Sequence, residues 1–295
     1  MARFPFRAFD VSGPLLGVEW IPSHVHPALF LGLGAAAAFI AGIGKAGFGS
    51  GIGIAAVPIL VYACGGQSKL ALGVMLPLLI ACDYVSIICW WRRWDVQNLR
   101  FLIPGALTGV AIGSVVLWWI SQLDGGARPA GGEPTTTDAI LGLIIGGICV
   151  TFIVLQTIRA IRGSLIAFRP LMWQGLTVGA AAGLTSTLTH SAGPITGMYL
   201  IPQQMPKDRF VATTNLYFWI GNQAKLAPYL LLGLTNPQTL AYSVLLVPAV
   251  VIGALTGVFL HKRISDRWFT ITIYALLTIA GGNLIYKSIR ILLGR

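Results

Sequence analysis

The chain has 295 residues, of which 56% are hydrophobic and 10% charged, with a mean hydropathy of +0.79 and a formal net charge of +11. So few charges, against about 25% in soluble domains, exclude a soluble globular enzyme and place the chain in a bilayer. Nucleic acid is excluded as a partner too, because the basic residues sit mainly in short loops, where they mark topology and meet anionic lipid.

Residues 1 to 26 carry Arg3 and Arg7 but are broken by Pro5, Pro14 and Pro22 before any apolar core forms, so no signal peptide is expected. With Trp20, His24 and His26 the stretch reads as an interfacial arm. Apolar segments follow at Pro27 to Cys64, Leu70 to Trp91, Phe101 to Ile120, Ala139 to Ile158, Trp173 to Ile201, Val211 to Leu232, Leu240 to Leu260 and Trp268 to Ile289. Each reaches or approaches the roughly 20 residues needed to cross about 30 Å of hydrocarbon. Unpaired backbone is too costly in lipid and the segments are too long for barrel strands, so the expected class is an all-α polytopic membrane protein with about 8–10 membrane segments.

The chain repeats itself at an offset of 144 residues. Leu102 to Ser121 (LIPGALTGVAIGSVVLWWIS) aligns with Leu246 to Ser265 (LVPAVVIGALTGVFLHKRIS), both carrying Pro-x4-Gly-x3-Gly as Pro104, Gly109, Gly113 and Pro248, Gly253, Gly257. The same offset pairs Gly42 to Leu60 (GIGKAGFGSGIGIAAVPIL) with Ser186 to Gln204 (STLTHSAGPITGMYLIPQQ), Pro58 matching Pro202. We divide the chain into a first repeat, 27–163, and a second, 170–295, each with one interrupted segment; such pairs of broken helices point to a secondary transporter.

Arginine-rich connections at Arg92 to Arg100 and Arg159 to Arg169, with Lys262, Arg263 and Arg267, read as cytoplasmic; Gln122 to Thr137 and Gly233 to Pro237 read as outside. The loop before the repeated Pro-x4-Gly-x3-Gly helix is then inside in one half and outside in the other. The two repeats are therefore expected to be inverted. Each interrupted segment is either two short spans or a re-entrant hairpin, since Pro27 to Gly44 and Gly51 to Cys64 would be about 27 and 21 Å long as helix, marginal for spanning.

The first break packs Gly42, Gly44, Gly47, Gly49, Gly51 and Gly53 around Lys45. That density disfavours continuous helix by about 1 kcal/mol per glycine. An open backbone frees N–H groups at the start of the next half-helix and lets an anion approach, with Lys45 as countercharge. The competing reading makes Gly47/Gly51 and Gly49/Gly53 packing faces. In the second break, Thr185 to Pro194, hydroxyls and His190 replace the glycines. Pro194 suits the first position of a new helix, capped by Ser191 or Gly193, and Thr189 stands opposite Lys45. His190 is the group able to titrate near neutrality, against a plain structural role at a helix end.

In the next segment Asn215, Asn222, Lys225 and Tyr229 share about 80° of one helix face. Either asparagine suits interhelical glue; a buried Lys225 calls for a carboxylate, and Asp83 is the intramembrane candidate, for Lys225, for Arg92 or for proton relay. The expected substrate-binding set is Lys45, Gly47, Gly49, Gly51, Thr189, His190, Ser191, Gly193, Asn215, Asn222 and Lys225, with His190 and Asp83 as proton-coupling candidates. Lys45→Ala is expected to abolish transport with folding near normal. Cys64, Cys82, Cys89 and Cys149 lie in or beside apolar segments without metal-ligand spacing, so no metal, cofactor or disulfide is expected.

The glycine-rich first break, the matching GLTSTLTHSAGPITGMYLIP and the starts of the following helices (SKLALGV at Ser68, KDRFVATTN at Lys207) resemble the TauE/SafE family of sulfite and organosulfonate exporters, over Pro27 to the C-terminus. Family members usually carry a glycine-rich run in the second break as well; here Thr-His-Ser-Ala-Gly-Pro stands there, which bears on the substrate rather than the family. The resemblance implies movement of small sulfur-containing oxyanions across the inner membrane, most often outward. The residue chemistry agrees, since lysines, a histidine, hydroxyls and freed amides suit negative oxygen. A passive anion channel is the alternative of the same fold, separated by saturable, concentrative exchange. An intramembrane hydrolase using Ser191 or Ser186 with His190 is the alternative from another class, but no Gly-x-Ser-x-Gly elbow is present. No Gly-x4-Gly-Lys-[Ser/Thr] motif supports an ATP-driven pump. A homo-oligomer is compatible with the sequence.

Overall fold

The computed structural model describes residues 21–49, 52–123, 134–162, 171–261, 263, 279 and 281–293. Gly51, most of the N-terminal arm, most of Gln122 to Thr137, the connection 163–170 and Lys262 and Arg267 lie outside the described residues. Within them the chain is helical throughout: α1 (Pro27–Ile43), a π-turn (Gly44–Phe48), a 3-10 turn (Ile52–Ala55), α2 (Ala56–Ala63), α3 (Ser68–Cys89), α4 (Val96–Gln122), α5 (Thr136–Arg162), α6 (Met172–Thr189), α7 (Gly193–Leu200), α8 (Lys207–Leu231) and α9 (Pro237–Leu260), with further helix at 281–292. Among the described residues, four stretches are long and apolar enough to cross a membrane: Pro27–Phe48, Ser68–Cys89, Val96–Gln122 and Pro237–Leu260. Their outward faces are apolar, as Ile112, Val115, Trp119, Val244 and Phe259 show, while lysine, aspartate and asparagine are buried. That inversion of the soluble pattern is what hydrocarbon demands.

The repeated glycine motifs are helix-packing faces. On α4 an added Cβ at Gly105 would strike Leu176, at Gly109 Ala180 and at Gly113 Leu184 and Thr187; on α6, one at Gly179 would strike Leu102 and at Gly183 Ala106. Numbers rise together on both helices, so α4 and α6 run parallel with backbones in contact, as small residues four apart allow. α1 and α9 repeat the arrangement: Gly42 faces Val250 and Ala254, Gly253 faces Phe39, and Gly257 faces Ile43 and Gly47. Each Pro-x4-Gly-x3-Gly helix thus packs against the broken helix of the other half.

Both interrupted segments double back. After α1 and its π-turn, α2 returns to the end where the chain began, so that a Cβ at Gly65 would meet His24 and Val25 at 3.1 Å. After α6, α7 returns to where α6 began: Tyr199 lies beside Gly175, and Gln203 exchanges hydrogen bonds with Asn98 at the start of α4. Of the two geometries left open by length, the structure has the hairpin in both places. One end of the bundle gathers Arg93, Asp95, Asp208, Arg209 and His261. Arg93 pairs with Asp208 at 2.5 Å and Arg209 with Asp95 at 2.9 Å. The opposite end gathers the starts of α3 and α5, where the Lys69 amide donates to Asp138 Oδ1 at 2.7 Å.

Candidate functional site

The two breaks meet at a cavity of about 60 Å³, lined by Lys45, Gly49 and Ile54 from the first, Ser186, His190, Ser191 and Pro194 from the second, and Phe218 and Asn222 from α8. That is ample for ordered water by the usual minimum of about 10–15 Å³. The π-turn widens the helix at Lys45, a common device at functional positions. Gly49 ends it at φ +73°, a left-handed conformation that glycine adopts without Cβ strain. The second break turns at His190, which takes φ +53° although it carries a side chain. A non-glycine residue held there stores backbone strain of the sort found at ligand sites.

Lys45 Nζ lies 2.5 Å from Asp83 Oδ1, and Asn222 Nδ2 donates to Asp83 Oδ2 at 2.6 Å. Asp83 is fully buried and sits behind both cavity-facing donors. Its partner is therefore neither Lys225 nor Arg92, the two that the sequence suggested. The reason is reach: α3 packs beside the π-turn, and the side chain of Lys45 extends along it. Lys225, also fully buried, has no carboxylate partner among the described residues. Its Nζ donates to Ser186 O at 3.3 Å, Ser186 Oγ at 2.9 Å and His190 Nδ1 at 3.0 Å. His190 Nε2 stands 3.1 Å from Leu72 O, so that nitrogen is the donor and Nδ1 the acceptor. Tyr229 completes the cluster by donating its hydroxyl to Thr187 O at 2.7 Å.

The remaining expected site residues divide. Ser191 and Gly193 line the cavity with His190 and Asn222. Ser191 Oγ donates to Thr189 O at 3.0 Å, and Thr189 is buried with its hydroxyl on Thr185 O at 2.9 Å, behind the lining. Gly47 packs against Gly257, where any Cβ would collide, so its role in this structure is close helix approach. Asn215 is 1% exposed, outside the cavity lining, and neither polar atom of its amide has a hydrogen-bond partner among the described residues. α7 begins at Gly193 with Ala192 as its cap and no side-chain cap bond, one residue before the expected Pro194. Neither serine hydroxyl bonds to His190; its nitrogens are engaged by Lys225 and Leu72, so the nucleophile–base pair of a hydrolase is not formed.

Sequence reasoning missed the ties that hold the first break open. Trp90 Nε1, just past α3, donates to Ala46 O at 2.9 Å, and His261, just past α9, places Nδ1 2.5 Å from Gly47 O and Nε2 3.1 Å from Asp208 Oδ1. These satisfy carbonyls that the π-turn leaves without ordinary helical partners. Such partners are tryptophan and histidine far away in sequence, with no local signal.

Apolar helices around a cavity lined by polar and charged side chains at two hairpin breaks fit a polytopic helical membrane protein. A family model described as "Sulfite exporter TauE/SafE" matches residues 34–284, nearly the whole chain. The protein belongs to that family of membrane transporters. Neither the curated proteins nor the solved structures contain a match.

Proposed function

We propose that the protein is a secondary carrier that moves a small sulfur-containing oxyanion across the cytoplasmic membrane in the exporting direction, with the two breaks as the halves of one central site. The observation that carries this reading is the convergence of Lys45, Ser186, His190, Ser191 and Asn222 on a single cavity. Lys45 and Asn222 supply charge-assisted and amide donors. Lys225, directly behind Ser186 and His190, adds a second cation. Phe218 and Ile54 supply apolar wall, which suits the carbon chain of a sulfonate.

The site works by alternating access. On one side, Asp208 ties Arg93 to His261 and through it to the Gly47 carbonyl. On the other, Tyr229, Leu72 and His190 close over the second break. Releasing one set while the other holds opens the cavity to one side at a time. Arginine bias puts the Arg93 end in the cytoplasm, and the two repeats inverted about the cavity make the two openings alike. His190 carries the proton coupling. A second proton enters the Lys225–His190 pair only by breaking their hydrogen bond, and it strengthens the hold on an anion; its loss eases release.

Reconstitution into proteoliposomes tests this. Saturable counterflow of sulfite or an organosulfonate, absent from empty liposomes, is expected. Flux that rises linearly with concentration and shows no counterflow points to a passive pore.

A further inference from the structure

The charges around the cavity narrow what it can hold, on the reading that it is an anion site. Lys45 and Asp83 stand 2.5 Å apart, and wherever the proton between them sits, the pair contributes no net charge. Lys225 meets three acceptors, Ser186 O, Ser186 Oγ and His190 Nδ1, which match the three N–H bonds of an ammonium. Because His190 Nδ1 accepts that bond and Nε2 faces the Leu72 carbonyl, the ring is neutral. Tyr229 gives its proton to Thr187 O and adds no charge. Among the described residues that line the cavity or bond directly to its lining, these are the charged and titratable groups. The sum is one positive charge.

An anion taken out of water is costly unless its charge is matched, and an excess of either sign at the site carries the same penalty. A monoanion brings the cavity to neutrality. A dianion leaves it negative and also meets Asp83, whose carboxylate already holds both Lys45 and Asn222. Asp83 thus occupies one charge's worth of the donors that a ligand would use. We propose that the cavity selects oxyanions of single negative charge, such as alkanesulfonates, over dianions such as sulfate and thiosulfate, and that Asp83 is the residue that sets this limit.

The test uses the full chain in proteoliposomes near neutral pH, with methanesulfonate, sulfate and thiosulfate as probes. The parent is expected to move methanesulfonate at least about tenfold more efficiently than either dianion. Asp83→Asn keeps the side-chain shape, removes the built-in negative charge, and should shift that ratio toward the dianions by about tenfold or more. Lys45→Gln with Asp83→Asn removes both members of the neutral pair; it should keep the monoanion preference, at weaker apparent affinity. Similar handling of both probe classes by the parent, or an unchanged ratio in folded Asp83→Asn, overturns the charge proposal and leaves the oxyanion reading standing. If a folded parent moves none of the three probes and no sulfite, the oxyanion reading itself fails. Where Asp83→Asn does not fold, the parent's ratio and that of the double variant decide.

Discussion

Lys45 and Asp83 face each other at 2.5 Å from the first break and from the middle of α3, with 8% and 0% of their side chains exposed. Two residues 38 positions apart thereby fix the π-turn against a neighbouring helix. Removing either partner strands a buried charge, at about 3–5 kcal/mol. Lys45→Ala is therefore expected to lower the thermal midpoint in detergent as well as to abolish transport, which changes the expectation drawn from sequence that folding stays near normal. Lys45→Met with Asp83→Leu should recover much of the midpoint, while the loss of polar donors at the cavity leaves transport weaker than in Lys45→Gln with Asp83→Asn. A single Lys45→Ala variant that melts with the parent would show that the pair contributes nothing to stability.

The parallel pairs α4/α6 and α1/α9 depend on glycine at the crossing points. Gly253→Ala would drive its Cβ into the backbone of Phe39, and Gly109→Ala into that of Ala180. Each should cost about 1–3 kcal/mol as an overpacking change. Gly32 and Gly221 have nothing within 4 Å of a new Cβ. Alanine there should be neutral or stabilise the helix by up to about 1 kcal/mol. Melting curves of the four variants side by side test this; equal behaviour would remove the packing role of the motif.

Much of this arrangement was legible in the sequence because lipid imposes simple rules. Hydropathy gave the helices, the 144-residue offset paired the breaks, and glycine density around Lys45 with hydroxyls around His190 located the cavity's two sides. The face of Asn215, Asn222, Lys225 and Tyr229 is buried as its helical spacing required. What sequence could not supply was partner choice. The sequence offered Asp83 two cations, Lys225 and Arg92, and the packing of α3 beside the π-turn gives it a third, Lys45. Lys225 found carbonyl, hydroxyl and imidazole acceptors instead of a carboxylate, a solution that leaves no compositional trace. Gly47 and Gly49, two residues apart in one motif, separate into a packing contact and a cavity wall because the π-turn rotates them to different faces.

The proton coupling proposed for His190 has a definite sign. Protonation of Nδ1 displaces the hydrogen bond from Lys225 and adds positive charge to the cavity, so apparent affinity for the anion should rise as pH falls and fall as pH rises. His190→Gln keeps an acceptor for Lys225 and removes the titration. Flux in proteoliposomes from about pH 5 to about pH 8 should therefore vary in the parent and flatten in the variant. Identical profiles would leave His190 only the role of orienting the break.

The assignment of sides is open to labelling. In a background lacking Cys64, Cys82, Cys89 and Cys149, a cysteine at Gly126 should react with a membrane-impermeant thiol reagent on whole cells, and one at Arg162 only after permeabilisation. The reverse pattern would place the Arg93–Asp208 end outside and exchange the two openings.

Asp208 joins Arg93 at 2.5 Å and His261 at 3.1 Å, and His261 continues to the carbonyl of Gly47 at the break. The Arg93–Asp208 pair is half exposed, so its own strength is about 0–1 kcal/mol and salt screens it. A weak tie suits a gate, which must open in every cycle; a strong one would trap the carrier. Asp208→Asn is therefore expected to raise the population open at this end by a few-fold, since about 1 kcal/mol corresponds to roughly a fivefold change. The readout is the rate at which a thiol reagent supplied from that side modifies Ile54→Cys, a position on the cavity wall, in the cysteine-free background. Asp208→Asn should accelerate labelling at low salt, and high salt should accelerate labelling of the parent toward the same rate. Rates that respond to neither change would show that Asp208 only braces the helix ends, and the gate would have to be sought elsewhere.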